Sequence, residues 1–250
     1  MDWNTLFNNS RISAKGRQQL VRVYQTLGLT VATASAGAYQ HLAQVVPSIG
    51  GGYMSIAAAI VTLVALLAME ARPSNLNTRI GLLAGHGFFQ GLSIGPFLDQ
   101  LMLASSSGSN ILFTALAATA VMFVSFSLSA SATDRRTVMY LLALITAIAS
   151  TFAWINISSL IFPISPYIGT SLLLGVGITS LYVIADTQLL LHTAETAPGG
   201  LDQVDGALVL FSDLFQLFVR LAMLLLEQEQ RRGERGRRSD RKGKRVEREF

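Results

Sequence analysis

The sequence predicts an all-α integral membrane protein: a bundle of six apolar spans followed by a shorter or re-entrant seventh segment. Three observations carry this. Of the 250 residues 51% are hydrophobic and only 14% charged, against the roughly 25% charged that a soluble domain carries. The apolar residues gather into runs of about 20, the length that crosses a bilayer core. Lys and Arg appear in alternate loops, the pattern left by repeated crossing.

The first 21 residues are polar and carry Arg11, Lys15 and Arg17, with Arg22 next. They have no cleavable-signal pattern, so the first apolar run is expected to be an uncleaved anchor. Runs follow at about 22–43, 51–71, 80–103, 110–132, 137–161 and 166–191, with a weaker one at about 206–227. Between them lie short breaker clusters: Pro47 with Gly50 to Gly52, Pro73-Ser74-Asn75, Ser105 to Ser109, Asp134-Arg135-Arg136, Pro163 to Pro166, and Pro198-Gly199-Gly200. No connection is long enough to separate domains. Residues 22–227 are therefore expected to form one polytopic helical domain, between a cytoplasmic segment 1–21 and a polybasic tail 228–250.

Loop charge sets the orientation. The loops near 72–79 and 135 hold Arg72, Arg79, Arg135 and Arg136, whereas those near 45–50, 105 and 164 hold no Lys or Arg. That places the N-terminus in the cytoplasm, and after six spans the chain is there again at the acidic loop of Glu195, Asp202 and Asp205. The tail pulls the other way. Residues 231–250 hold ten Lys/Arg and four Asp/Glu, leaving −2 for the rest of a chain whose net charge is +4. Such a tail reads as a cytoplasmic extension attracted to anionic lipid, and secondarily as a calmodulin-type or nucleic-acid segment. If 206–227 crosses fully the tail lies outside; if it dips and returns, the tail stays inside. Ser212, Asp213, Gln216 and Arg220 suit a segment surrounded by protein rather than lipid.

Cysteine is absent, which removes disulfides, thiolate metal sites and cysteine nucleophiles. The third run carries Gly81, Gly85, Gly87, Gly91 and Gly95. Their small-xxx-small spacing predicts close helix packing, and no G-x-G-x-x-G follows a strand to suggest a phosphate loop. Gly175 and Gly177 make the same argument more weakly.

Charges inside spans need a partner or a proton, because a carboxylate at helix centre costs about 2.5–3.5 kcal/mol on insertion scales. Glu70 and Arg72 stand near an interface and can snorkel. Asp99 follows Gly95-Pro96 and is expected toward the opposite aqueous side. His86, on the glycine-lined face, reads as a hydrogen-bonded packing residue, since a lone histidine makes no metal site. Asp186 and Asp213 differ. One lies about 20 residues into a 26-residue run, the other about eight into the last segment, with the acidic loop turning the chain between them. Both stand a turn or two in from the same membrane face on antiparallel neighbours, which permits a carboxylate pair sharing one proton. Protonated, the pair is a neutral latch between helices. Deprotonated, it repels itself or transiently takes a cation such as Ca²⁺, which prefers hard oxygen ligands. Arg220, seven residues from Asp213, is too far to pair directly; Arg72, at the cytoplasmic end of the second span, is the expected partner, able to bridge two carboxylates.

The segments IADTQLLLHTAE, GLDQVDGALVLFSDLFQLFVRLAM and GLLAGHGFFQGLSIGPFLDQ resemble the sixth, seventh and third segments of the Bax inhibitor-1 family, the transmembrane Bax-inhibitor-motif proteins, over about residues 15–230. The D-T-Q and L-F-x-D-x-x-x-x-F-x-R-L motifs carry the resemblance. It implies seven helices with the last one central, a pH-sensitive di-aspartyl latch at Asp186 and Asp213, and Ca²⁺ leak. It also implies suppression of cell death, an endoplasmic-reticulum membrane location, and no cofactor. In bacterial relatives an arginine ending the second helix bonds the dyad, a place similar to that of Arg72. His192 stands where relatives often carry a charged residue.

Two alternatives accompany the leak channel. One is a non-conducting adaptor that regulates apoptosis and stress signalling through partners at the basic tail. The other, an intramembrane aspartyl protease, needs Y-D and G-x-G-D signatures; here Asp186 follows Ala185, and Gly177 is followed by Ile178. No enzyme activity and no nucleic-acid partner are expected. The N-x-S/T patterns at Asn8 and Asn156 fall on the cytoplasmic side and at a span end, so neither is expected to carry glycan.

Overall fold

The computed structural model describes residues 14–45, 51–104, 108–132, 168–197 and 200–246, and the regular structure in them is helical throughout. The helices are α1 (Ala14–Ala43), α2 (Tyr53–Ala68), α3 (Leu76–Ser93), α4 (Gly95–Ala104), α5 (Gly108–Ala132), α6 (Ile168–Thr196) and α7 (Gln203–Val246), with a 3-10 turn at Pro73–Asn75 before α3. The expected span at 137–161, its flanking clusters at 134–136 and 163–166, residues 1–13 with Asn8, and Asn156 lie outside the described residues.

Local chemistry ends and starts these helices. At the end of α1 Gln44 takes a positive φ of 49°, and its Nε2 donates to the His41 carbonyl at 2.6 Å, satisfying an orphan acceptor of the last turn. At the start of α2 the Ser55 hydroxyl accepts from the Gly52 N–H at 3.0 Å and donates to the Gly52 carbonyl. Gly52 holds φ 136°, a region open to glycine without steric cost.

The third expected span is two helices. Pro96 has no N–H to continue the ladder of α3, so the helix stops at Ile94 and α4 restarts at Gly95. The His41 ring lies in this break: a Cβ at Gly95 would overlap it. The seventh segment also departs from expectation. It is neither short nor re-entrant, but part of a continuous 44-residue helix, about 66 Å long at 1.5 Å per residue. Its apolar stretch is no weaker than that of α6. Asp213 is buried in it while Gln216 is exposed, and α7 packs against α1, α3, α4, α5 and α6.

Among the described residues three helical stretches are long and apolar enough to cross a membrane: Gly108–Ser129, Leu172–Thr196 and Gln203–Gly233. Large apolar side chains such as Val61, Leu67, Phe113 and Val121 face outward, an arrangement costly in water but neutral against lipid tails. The chain is an all-α, multi-pass membrane protein embedded in a bilayer.

The bundle has two ends. Gln19 of α1 accepts a hydrogen bond from the Leu201 N–H, and Arg79 at the start of α3 binds Asp202 and Asp205; this is the Arg79 end. At the other, His41, Gly51 and Asp99 meet. Each end has its own apolar core: Val23, Leu83, Val183, Val204 and Phe211 near Arg79, and Leu98, Leu101, Ile111, Phe218 and Ala222 near His41. Because α7 contributes to both, it runs the length of the bundle, and the tail leaves at the His41 end. The glycines of α3 divide by face. A Cβ at Gly87 or Gly91 would overlap the Thr30 or Ala34 carbonyl of α1, whereas one at Gly81 would meet nothing and one at Gly85 only a methyl at 3.8 Å.

Candidate functional site

Asp186 sits on α6 and Asp213 on α7, and the short turn through Gly200 makes these helices antiparallel neighbours. Their carboxyls are hydrogen-bond neighbours. Carboxylates only accept, so such a bond needs a proton on one of the two. Asp213 is 6% exposed and its Oδ2 has no hydrogen-bond partner. Beside Asp186, the buried Thr187 hydroxyl also lacks a partner, as does Ser127 on α5. An unpartnered buried carboxylate oxygen is costly and favours either a proton or a cation.

The other sequence-selected residues lie elsewhere. Arg72 does not bridge the dyad. It is exposed, with 67% of its side chain accessible, and its Nε pairs with Glu70, two residues away. The chain leaves α2 at Met69, so both side chains project from a loop into solvent rather than toward the buried carboxyls. His86 is buried; its Nδ1–H donates to the Ala59 carbonyl at 3.0 Å and its ring meets the Phe211 edge. It lines a cleft of about 240 Å³ between α2, α3 and α7 that also touches Ser212 and Gln216 but not Asp213. His192 is bonded to the Thr196 hydroxyl one turn on. Arg220 has no carboxylate partner among the described residues, and its guanidinium packs on Gly175. Among the described residues no three His, Asp or Glu side chains cluster to hold a metal.

Two clusters escaped sequence reasoning. Arg79 is 3% exposed; its Nη1 donates to Asp202 Oδ2 at 2.5 Å and its Nη2 to Asp205 Oδ1 at 2.6 Å, while Nε has no partner. Asp202 is also the N-cap of α7, its Oδ1 accepting from the Val204 N–H at 2.8 Å and the Asp205 N–H at 3.2 Å. The arginine therefore fixes the start of the helix that carries Asp213. The signal was present: loop charge had placed a basic and an acidic loop on one face. At the far end, His41 is 7% exposed. Its Nδ1 accepts from the Gly51 N–H at 2.7 Å, which leaves the proton on Nε2, donated to Asp99 Oδ2 at 2.7 Å. The clue here was Asp99 at a span end, facing the same side as the end of the first span.

Comparison with known proteins agrees with this architecture. The family model described as "Inhibitor of apoptosis-promoting Bax1" matches residues 16–231. The chain is similar to Bax inhibitor 1 of Sus scrofa, 31% identical over 225 residues that cover 90% of this chain and 92% of that protein. It is similar to Bax inhibitor 1 of Arabidopsis thaliana at 31% over 226 residues, covering 90% and 87%. For that of Drosophila melanogaster the figures are 30% over 219 residues, 86% and 85%. Proteins of this family are membrane modulators rather than enzymes. By the family model and by these relatives, the chain belongs to the Bax inhibitor-1 family.

Proposed function

We propose that this protein is a pH-regulated Ca²⁺ leak channel of the endoplasmic-reticulum membrane that suppresses cell death, with Asp186 and Asp213 as its proton-operated latch. The observation that carries the reading is the contact of these two carboxyls between α6 and α7, with one buried oxygen left unpartnered. Family membership supports the role in cell-death control. With a shared proton the pair ties α6 to α7. As pH rises the proton leaves, two negative charges face each other in a poor solvent for charge, and the helices separate or take up Ca²⁺. Flux is then low at acid pH and rises toward alkaline pH. In this reading the bundle has seven membrane segments with α7 central, and residues 1–21 and the Arg79 end face the cytoplasm.

Purified protein in liposomes tests it. Ca²⁺ entry should climb with pH in the native chain, and Asp213→Asn should flatten that dependence; an unchanged pH profile in the variant sinks the latch.

A second reading rests on the length of α7. The helix continues through the basic residues to Val246, a rod suited to dock on an acidic partner, an apoptosis regulator, on the side of the membrane where the His41 end lies. Deleting residues 228–250 should then abolish cell protection while leaving Ca²⁺ flux intact.

A further inference from the structure

The seam between α6 and α7 carries a second ionisable group beyond the dyad. Arg220 follows Asp213 by seven residues, two turns and about 10 Å along one face of α7. Gly175 precedes Asp186 by eleven residues, three turns along one face of α6. The antiparallel helices bring these positions together. A Cβ at Gly175 would run into Arg220 Nη1 and lie 3.3 Å from Cζ, so the guanidinium packs on bare helix backbone.

Among the described residues Arg220 forms no ion pair, and the sequence holds no Asp or Glu from 135 to 185. The next acid along α7, Glu227, is held by Arg231 at 2.6 Å. An intramembrane arginine without a counter-charge is expensive and marks function by default.

We infer that Arg220 is the charge-selecting element of the α6/α7 path, a fixed positive charge that holds back divalent cations more strongly than monovalent ones. The inference rests on reading Asp186 and Asp213 as part of an ion path. The dyad attracts cations of any valence; two turns further along the same seam, the guanidinium repels them. Coulomb repulsion scales with the charge of the ion, so the factor by which Arg220 slows Ca²⁺ is about the square of its factor for K⁺. A path with an attracting and a repelling charge in series conducts slowly, as a leak does.

The experiment compares Ca²⁺ and K⁺ flux into liposomes holding the native protein, Arg220→Gln, Arg220→Lys, Gly175→Ala and Asp213→Asn. Arg220→Gln should raise K⁺ flux about threefold and Ca²⁺ flux about tenfold, while Arg220→Lys stays within about twofold of native for both ions. Gly175→Ala keeps the charge but displaces it, and should change the Ca²⁺-to-K⁺ ratio even if Arg220→Gln fails to fold. Equal rises of both ions would make Arg220 a steric plug and overturn the inference, as would an unchanged ratio in both Arg220→Gln and Gly175→Ala. If Asp213→Asn still alters flux in that case, the latch stands without the arginine. If Asp213→Asn changes nothing while Arg220→Gln lifts Ca²⁺ selectively, the latch fails and the arginine stands. Absence of flux in every protein overturns both.

Discussion

At one end of the bundle a buried arginine holds Asp202 and Asp205 through two charge-assisted bonds; at the other a neutral imidazole holds Asp99 and the Gly51 N–H. Both clusters join segments distant in sequence, and both are nine-tenths buried at their centre. Their chemistry differs in what it responds to. Arginine stays charged at any pH a cell meets, so the first cluster is permanent and anchors the start of α7. His41 instead works through two directed hydrogen bonds, accepting at Nδ1 and donating at Nε2, so the second cluster depends on the orientation of one ring. The dyad lies on the helices pinned by the permanent end.

Each cluster can be removed by one substitution. Removing the guanidinium by Arg79→Met takes two charge-assisted hydrogen bonds from the partly exposed Asp202 and Asp205 and should cost about 3 kcal/mol, read as a fall in Tm of the detergent-solubilised protein. His41→Ala loses two hydrogen bonds and the ring that fills the α3/α4 break, about 2 kcal/mol. A loss at His41 equal to that at Arg79 would show that the ends are not chemically unequal. The same variant removes the acceptor for the Gly51 N–H, whose amide exchange should quicken in His41→Ala while the amides of Val204 and Asp205 keep their protection. Smallest of all, Arg72→Ala should shift stability by less than about 0.5 kcal/mol, because its pair with Glu70 is exposed.

Sequence pattern located α5 and α6 well, since long uniform apolar runs leave no competing structure. The nearness of Asp186 and Asp213 was legible for a related reason: a turn between two runs fixes the depth of residues on either side. The break at Ile94 was not legible in detail, because Gly95-Pro96 only permits a break, and the ring of His41 from another helix occupies it. That Arg72 stays exposed while Arg79 turns inward was not legible for the same cause. Both lie in one basic loop. Only the fold decides which turns inward, and Arg79, the first to stand within a regular helix, has acceptors in the N-cap of α7. The seventh segment read as short because Ser212, Asp213, Gln216 and Arg220 interrupt its apolar run, although only Asp213 among them is buried.

The backbone contact of α1 with α3 at Gly87 and Gly91 leaves no layer of side chains between those helices. Two rods joined that way move as one body. Because α7 runs unbroken to Val246, any displacement of Asp213 under the proposed latch would reappear at the far end of the same rod, where a spectroscopic label on the tail would read it.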